Sequence, residues 1–258
     1  MAEKDKINLD YLNTENDNLE GFEEVNASTM KIPFLKLAQD LTLEMKKTNA
    51  QYIEGLELGD FFNPITGEIY GPKIQAVILK FQEIYIEWPP NSIVTREPLI
   101  SYHTPANALN LATDQTFGKW KTIEGNDLTQ YYTYYLLLAG HETDGVMIYS
   151  LKSTGISIGK GINRLMTTHQ MLGKDGKPVT AKPYYLVWDV ESHTKPKGAA
   201  EYYIPVFKFN SFITAEQHAI VKDERKLLPA RSVDYNQITD HSSADNVDGS
   251  ADDGDDEL

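Results

Sequence analysis

Three carboxylates set among strand-forming residues, Glu83, Glu87 and Asp189, and six histidines are the side chains best suited to proton transfer or metal binding. The histidines are His103, His141, His169, His193, His218 and His241. Acid–base chemistry needs two such groups held across a reacting bond. A zinc centre needs ligands at recurring spacing. No two histidines stand at ligand spacing, and there is no HExxH. The carboxylates are therefore expected on solvated strand faces, and the histidines as ordinary surface or core residues. Gly155–Gly161 fails as a phosphate loop, because three residues separate Gly155 from Gly159 and Gly161 follows Lys160. No Gly-x-Ser-x-Gly elbow is present, and the tail acids lack the ligand alternation of a calcium loop. Cysteine is absent, which excludes thiolate metal sites, disulfides and cysteine nucleophiles. The expectation is a protein without catalytic residues, metal or cofactor.

The chemistry that remains is binding. The chain holds 15 tyrosines, and they cluster in strand-like segments: Tyr131, Tyr132, Tyr134 and Tyr135, then Tyr184 and Tyr185, then Tyr202 and Tyr203. Side chains alternate across a strand, so each Tyr-Tyr pair should send one ring to the core and one outward. An outward ring can stack on an unpaired base, at about 1–3 kcal/mol per base. About half of the rings are expected to pack in the core or across strands instead. Basic residues border these segments: Lys119 and Lys121 on either side of Trp120, Lys152 at a strand end, Lys160 and Arg164 on a helix, and Lys208 in the last strand. They would neutralise phosphates. The predicted nucleic-acid site is therefore Lys119, Trp120, Lys121, Tyr132, Tyr134, Lys152, Lys160, Arg164, Tyr185 and Lys208.

The elements that must position these groups are legible in part. Ile74–Trp88 is rich in Ile, Val, Phe, Tyr and Trp, and its length predicts a bent or bulged strand. Tyr131–Ala139 and Gly145–Ser153 predict a hairpin around a tight turn. Apolar residues at helical steps predict a helix over Gly155–Leu172, capped by Thr154 or Ser157. Pro183–Glu191 and Ala200–Phe209 predict two further strands around a basic loop, 192–198. Thr214 followed by Gln217 predicts a capping box opening a last helix, Thr214–Leu228. Residues 91–126 read as an irregular insertion carrying short elements. The fold expected is mainly β, of α+β class: an elaborated five-stranded barrel of the oligonucleotide-binding kind. One helix would lie between strands three and four and another at the C-terminal end. A generic α+β sheet domain competes with it.

Charge divides the chain of 258 residues into three regions. Residues 1–29 carry a net charge of −6, residues 30–231 of +1 and residues 232–258 of −9. The predicted organisation is an acidic flexible arm (1–29), a binding domain (30–231) and a disordered acidic tail (232–258). A mobile polyanion can compete with nucleic acid for a basic groove, or present its end to a partner protein. The partner-binding tail residues would be Asp252, Asp253, Asp255, Asp256, Glu257 and Leu258. No membrane span and no leader are read in the sequence, so the expected location is a cytoplasm.

The segments FFNPITGEIYGPKIQAVILKFQEIYIEW (61–88) and SLKSTG (150–155), with the inserted basic helix and acidic tail, resemble bacteriophage single-stranded DNA-binding proteins of the oligonucleotide-binding fold. The resemblance covers about residues 30–258. It implies non-catalytic binding and protection of single-stranded DNA in phage replication or recombination, with replication or recombination proteins recruited by the tail. A homodimer is compatible with this. Tails of that class commonly end on an aromatic residue, whereas this chain ends on Leu258. The alternative is a phage-encoded nucleic-acid enzyme or an inhibitor of a host enzyme.

Overall fold

Two long segments of alternating large side chains form the spine of the molecule. The computed structural model describes residues 31–90, 98–114, 120–173, 175–197, 200–231 and 233–235. The expected arm at 1–29 and nearly all of the tail, including Asp252, Asp253, Asp255, Asp256, Glu257 and Leu258, lie outside them, as does Lys119.

In chain order the strands begin with β1 (Lys36–Leu37), β2 (Phe61–Phe62), β3 (Ile69–Gly71), β4 (Lys73–Trp88) and β5 (Ser101–His103). Helix α1 (Pro105–Leu111) precedes β6 (Ala112–Asp114), β7 (Trp120–Thr122), β8 (Asp127–Leu138) and β9 (Val146–Lys152). Helix α2 (Gly155–Thr168) leads to the hairpin β10 (Gln170–Leu172) and β11 (Pro178–Thr180). Strands β12 (Leu186–Lys197) and β13 (Ala200–Phe212) are followed by helix α3 (Ala215–Leu227).

The main sheet is eight-stranded and antiparallel, in the order β13-β12-β4-β8-β7-β6, with β5 added to β4 and β9 to β8. It places the chain in a mainly β, α+β class. Among the described residues it does not close into the expected five-stranded barrel. The reason is the course of β12. It pairs with β4 only along residues 73–77, then continues with β13 toward the small β1–β3 sheet. There the Gln39 amide exchanges two 2.9 Å hydrogen bonds with the backbone of Tyr203, filling part of the edge a closing strand would need. The basic loop expected at 192–198 is mostly the outer half of this ladder, which pairs through Lys197↔Ala200.

Both faces of the sheet are covered. One core holds Ala76, Ile78, Tyr134, Leu136, Met147 and Trp188, beneath α2 and the β1–β3 layer. The other holds Val77, Leu79, Ile84, Ile86, Tyr135, Leu137 and Val187 against Val221 and Leu228 at the C-terminal end. Fully burying such a side chain is worth about 1.5–3 kcal/mol. The bulge predicted in β4 falls between Ile78 and Lys80 and reverses the parity of the strand beyond it. Phe81, Glu83, Tyr85 and Glu87 consequently share the α2 face. The capping box of α3 forms, with Thr214 and Gln217 bonded reciprocally. The start of α2 has no side-chain cap. Ser157 donates instead to the Thr154 carbonyl, and the helix ends at Thr168, so residues expected to continue it form β10.

Candidate nucleic-acid interface

Helix α2 crosses the sheet at very close range because residue 159 is glycine. A Cβ there would lie 2.6 Å from the Tyr132 ring and 3.2 Å from the Tyr134 hydroxyl. The single Tyr134 hydroxyl proton is shared between the Gly159 carbonyl and Asn163 Oδ1, both 3.0 Å from the phenol oxygen. Tyr134 is fully buried and Tyr132 nearly so. Burial pushes both phenols above their ordinary range, Tyr132 with help from the nearby Glu83 charge and Tyr134 with help from Tyr132. Neither is an open stacking ring. The one-in, one-out expectation fails at Tyr131, Tyr132, Tyr134 and Tyr135 alike, because both faces of β8 are roofed.

The outer flank of α2 is different. Ile162 and Met166 face the core, whereas Lys160 and Arg164, one turn apart, are exposed. Among the described residues neither forms an ion pair with a carboxylate. Lys152 is half-buried at the end of β9, just before the helix.

A band of aromatic and polar groups runs along the far half of β4 and β8, beginning at Tyr132, on which Gly159 of α2 packs. Phe81 meets Tyr132 edge-on, with ring centres 5.2 Å apart. Glu83, opposite Tyr132, accepts from Gln130 Nε2 at 2.6 Å and from the Tyr85 hydroxyl at 3.1 Å. Trp120 lies over Tyr85 with ring centres 4.9 Å apart and planes tilted by 34°. Tyr85 is buried beneath it and Trp120 keeps part of its surface open. Beyond them Glu87, only 7% exposed, is bound by His103 Nε2 at 2.8 Å and Asn126 Nδ2 at 2.7 Å. The solvated strand face expected for Glu83 and Glu87 is corrected: Glu83 is half-buried and Glu87 is sealed, each held by named donors. Asp189 is only partly exposed and bonds Gln75 and Asn210.

The remaining predicted residues are scattered. Lys121 pairs with Asp127 at 2.8 Å. Lys208 pairs with Glu191 at 2.9 Å, on a strand cluster that also holds Lys73 and His193. Tyr185 sits in a short turn, Pro183–Tyr185, and not in a strand. Its ring is 4.8 Å from Tyr184 and 5.7 Å from His218. Arg225 lies 3.6 Å above the Tyr184 ring. Burial would raise the Tyr184 phenol, but Lys182 and Arg225 together bring it below its ordinary value. Phe81, Tyr85 and Gln130 are missed by sequence reasoning, whereas Glu83 is singled out there but expected on a solvated face. Their i, i+2 spacing was the available signal, hidden by the bulge that resets the alternation.

The described residues form a β-rich protein of α+β class that carries a helix with exposed cations and a half-open aromatic band. The chain matches the family described as Pam3 phage gp34-like protein over residues 2–232, and it belongs to that family of phage proteins. No curated protein matches it, and no solved structure does. No helix among the described residues is long and apolar enough to cross a membrane.

Proposed function

We propose that the protein binds single-stranded DNA without cutting it. The observation that carries this reading is the exposed Lys160 and Arg164 on α2, a helix that packs on Tyr132 through Gly159, together with the band from Tyr132 to the half-open Trp120 ring. Phosphates would follow the helix flank while a base stacks on Trp120. Glu83 is an acceptor in the middle of the band. It suits the exocyclic amino group of a base and repels phosphate, so the backbone would run along the helix side. Lys152 would extend the cationic track. The acidic tail, 232–258, would compete for the same cations and recruit replication or recombination proteins when displaced. The oligonucleotide-binding kinship is part of this proposal and adds no site residue of its own.

Fluorescence anisotropy with a labelled single strand, its duplex and the RNA equivalent tests the reading. The expected order is single-stranded DNA tightest, with affinity falling steeply as salt rises. Removal of 232–258 is expected to tighten binding. Absence of binding by the truncated chain at low ionic strength would reject the function, and unchanged affinity on truncation would reject the competition. Cleaved product in the presence of magnesium would replace binding by an enzymatic reading.

A further inference from the structure

Away from the α2 flank, two segments far apart in sequence bring three ligand-type side chains together. Glu68 lies immediately before β3, and His141 and Asp144 belong to the turn between β8 and β9. His141 Nδ1 is 3.7 Å from Glu68 Oε1 and 3.7 Å from Asp144 Oδ2. All three ligand atoms lie within 4.8 Å of one another. Two ligands bound at about 2.1 Å to a tetrahedral zinc stand about 3.4 Å apart, so small side-chain rotations close the site.

Three independent features favour a cation there. The donors are mixed nitrogen and oxygen, the set that suits zinc and its neighbours better than magnesium. Among the described residues no Lys or Arg pairs with Glu68 or Asp144, and His141 is the basic group within reach of both carboxylates. A cavity of about 360 Å³ opens beside His141, with Tyr70, Lys73 and Gln75 also on its wall. Tyr70 donates to Asp144 Oδ2 at 3.0 Å, and its ring meets His141 edge-on at 5.0 Å. A hydrogen-bonded, packed neighbour of this kind holds ligands in a fixed orientation.

We propose that Glu68, His141 and Asp144 bind a divalent transition-metal cation, Zn²⁺ above all, with a fourth position open to the cavity for water. The metal clips the β2–β3 segment to the β8–β9 turn. Sequence spacing gives no hint of it, since the first ligand precedes the second by more than seventy residues.

Isothermal titration of the chelator-treated full chain with zinc chloride tests this. The expected result is one saturable site and a higher melting temperature on loading. Glu68→Gln and His141→Gln are each expected to weaken the site at least about tenfold. Melting of the metal-free variants should be unchanged. No saturable site, or an affinity that both variants retain, overturns the proposal; the second result places zinc on other carboxylates such as those of the tail. A readout without substitution is the His141 imidazole NMR signal of the unaltered chain. A zinc-dependent shift supports the site, and none at saturating zinc overturns it.

Discussion

The two halves of the β4–β8 pair share one ladder and differ in almost everything else. Near β9 and β12, the half built from Ile74–Leu79 and Tyr134–Leu138 is apolar on both faces and roofed on both. In the far half, beyond the bulge, one face is still apolar, with Ile84, Ile86 and Trp88 buried. The other carries Phe81, Glu83, Tyr85 and Glu87 with their hydrogen-bonded partners, and its outermost ring, Trp120, is partly open. Aromatic residues occupy both halves. What separates a structural ring from an available one is whether an element has been laid across it. Tyr134 and Trp120 both lie on strands of the main sheet, but α2 covers the first and leaves the second at the margin.

The largest effect should come from the roofed half. Leu136→Ala removes a fully buried side chain from the centre of one core. It is expected to lower unfolding free energy by about 2–5 kcal/mol in a urea titration. An equal loss from Trp120→Ala would erase the distinction between the halves.

Glu87→Ala probes the far half. It leaves His103 and the Asn126 amide facing an empty place where an acceptor stood. A buried donor without a partner costs about 1–3 kcal/mol. Chemical denaturation of this variant beside Glu87→Gln should show the glutamine keeping part of the stability, because one acceptor oxygen survives.

Trp120→Ala should separate binding from folding. Its expected cost is about 1–3 kcal/mol of single-stranded DNA affinity if one base stacks on it, with a smaller change in stability than for Leu136→Ala. Tyr134→Phe should do the converse. It removes one hydroxyl bonded to Gly159 and Asn163, for about 1 kcal/mol of stability, and leaves DNA affinity as it was. Equal DNA affinities for the Trp120 variant and the unaltered chain would break the comparison at its functional end.

The smallest effect lies outside both halves, at Glu191 on β12. Lys208, Lys73 and His193, in that order, hold its carboxyl down from 4.5 to about 2 by hydrogen bonding. A depressed carboxyl contributes stability that is complete above its ordinary value and is lost as pH falls through about 2. Melting scans across that interval should show a slightly shallower acid loss for Glu191→Gln than for the unaltered chain. The difference should be small, since these side chains are solvated and screened.

Much of the local structure was written in the chain itself. The composition of Ile74–Trp88 specifies a strand too long to stay straight, Thr214 and Gln217 specify a helix start, and the residues around Gly140 specify a hairpin. Charge placed the acid at the two ends. These are short-range properties, set by backbone preference and by neighbours a few positions away. The location of the bulge, and with it the shared face of Phe81, Glu83, Tyr85 and Glu87, is set by pairing with β8. The burial of Tyr132 and Tyr134 follows from a helix that begins more than twenty residues later and can approach only because residue 159 lacks a side chain. Glu68 meets His141 through the packing of two separate sheets. Contacts of that range depend on which elements cover which faces, a choice made by the sum of the packing energy and encoded at no single position.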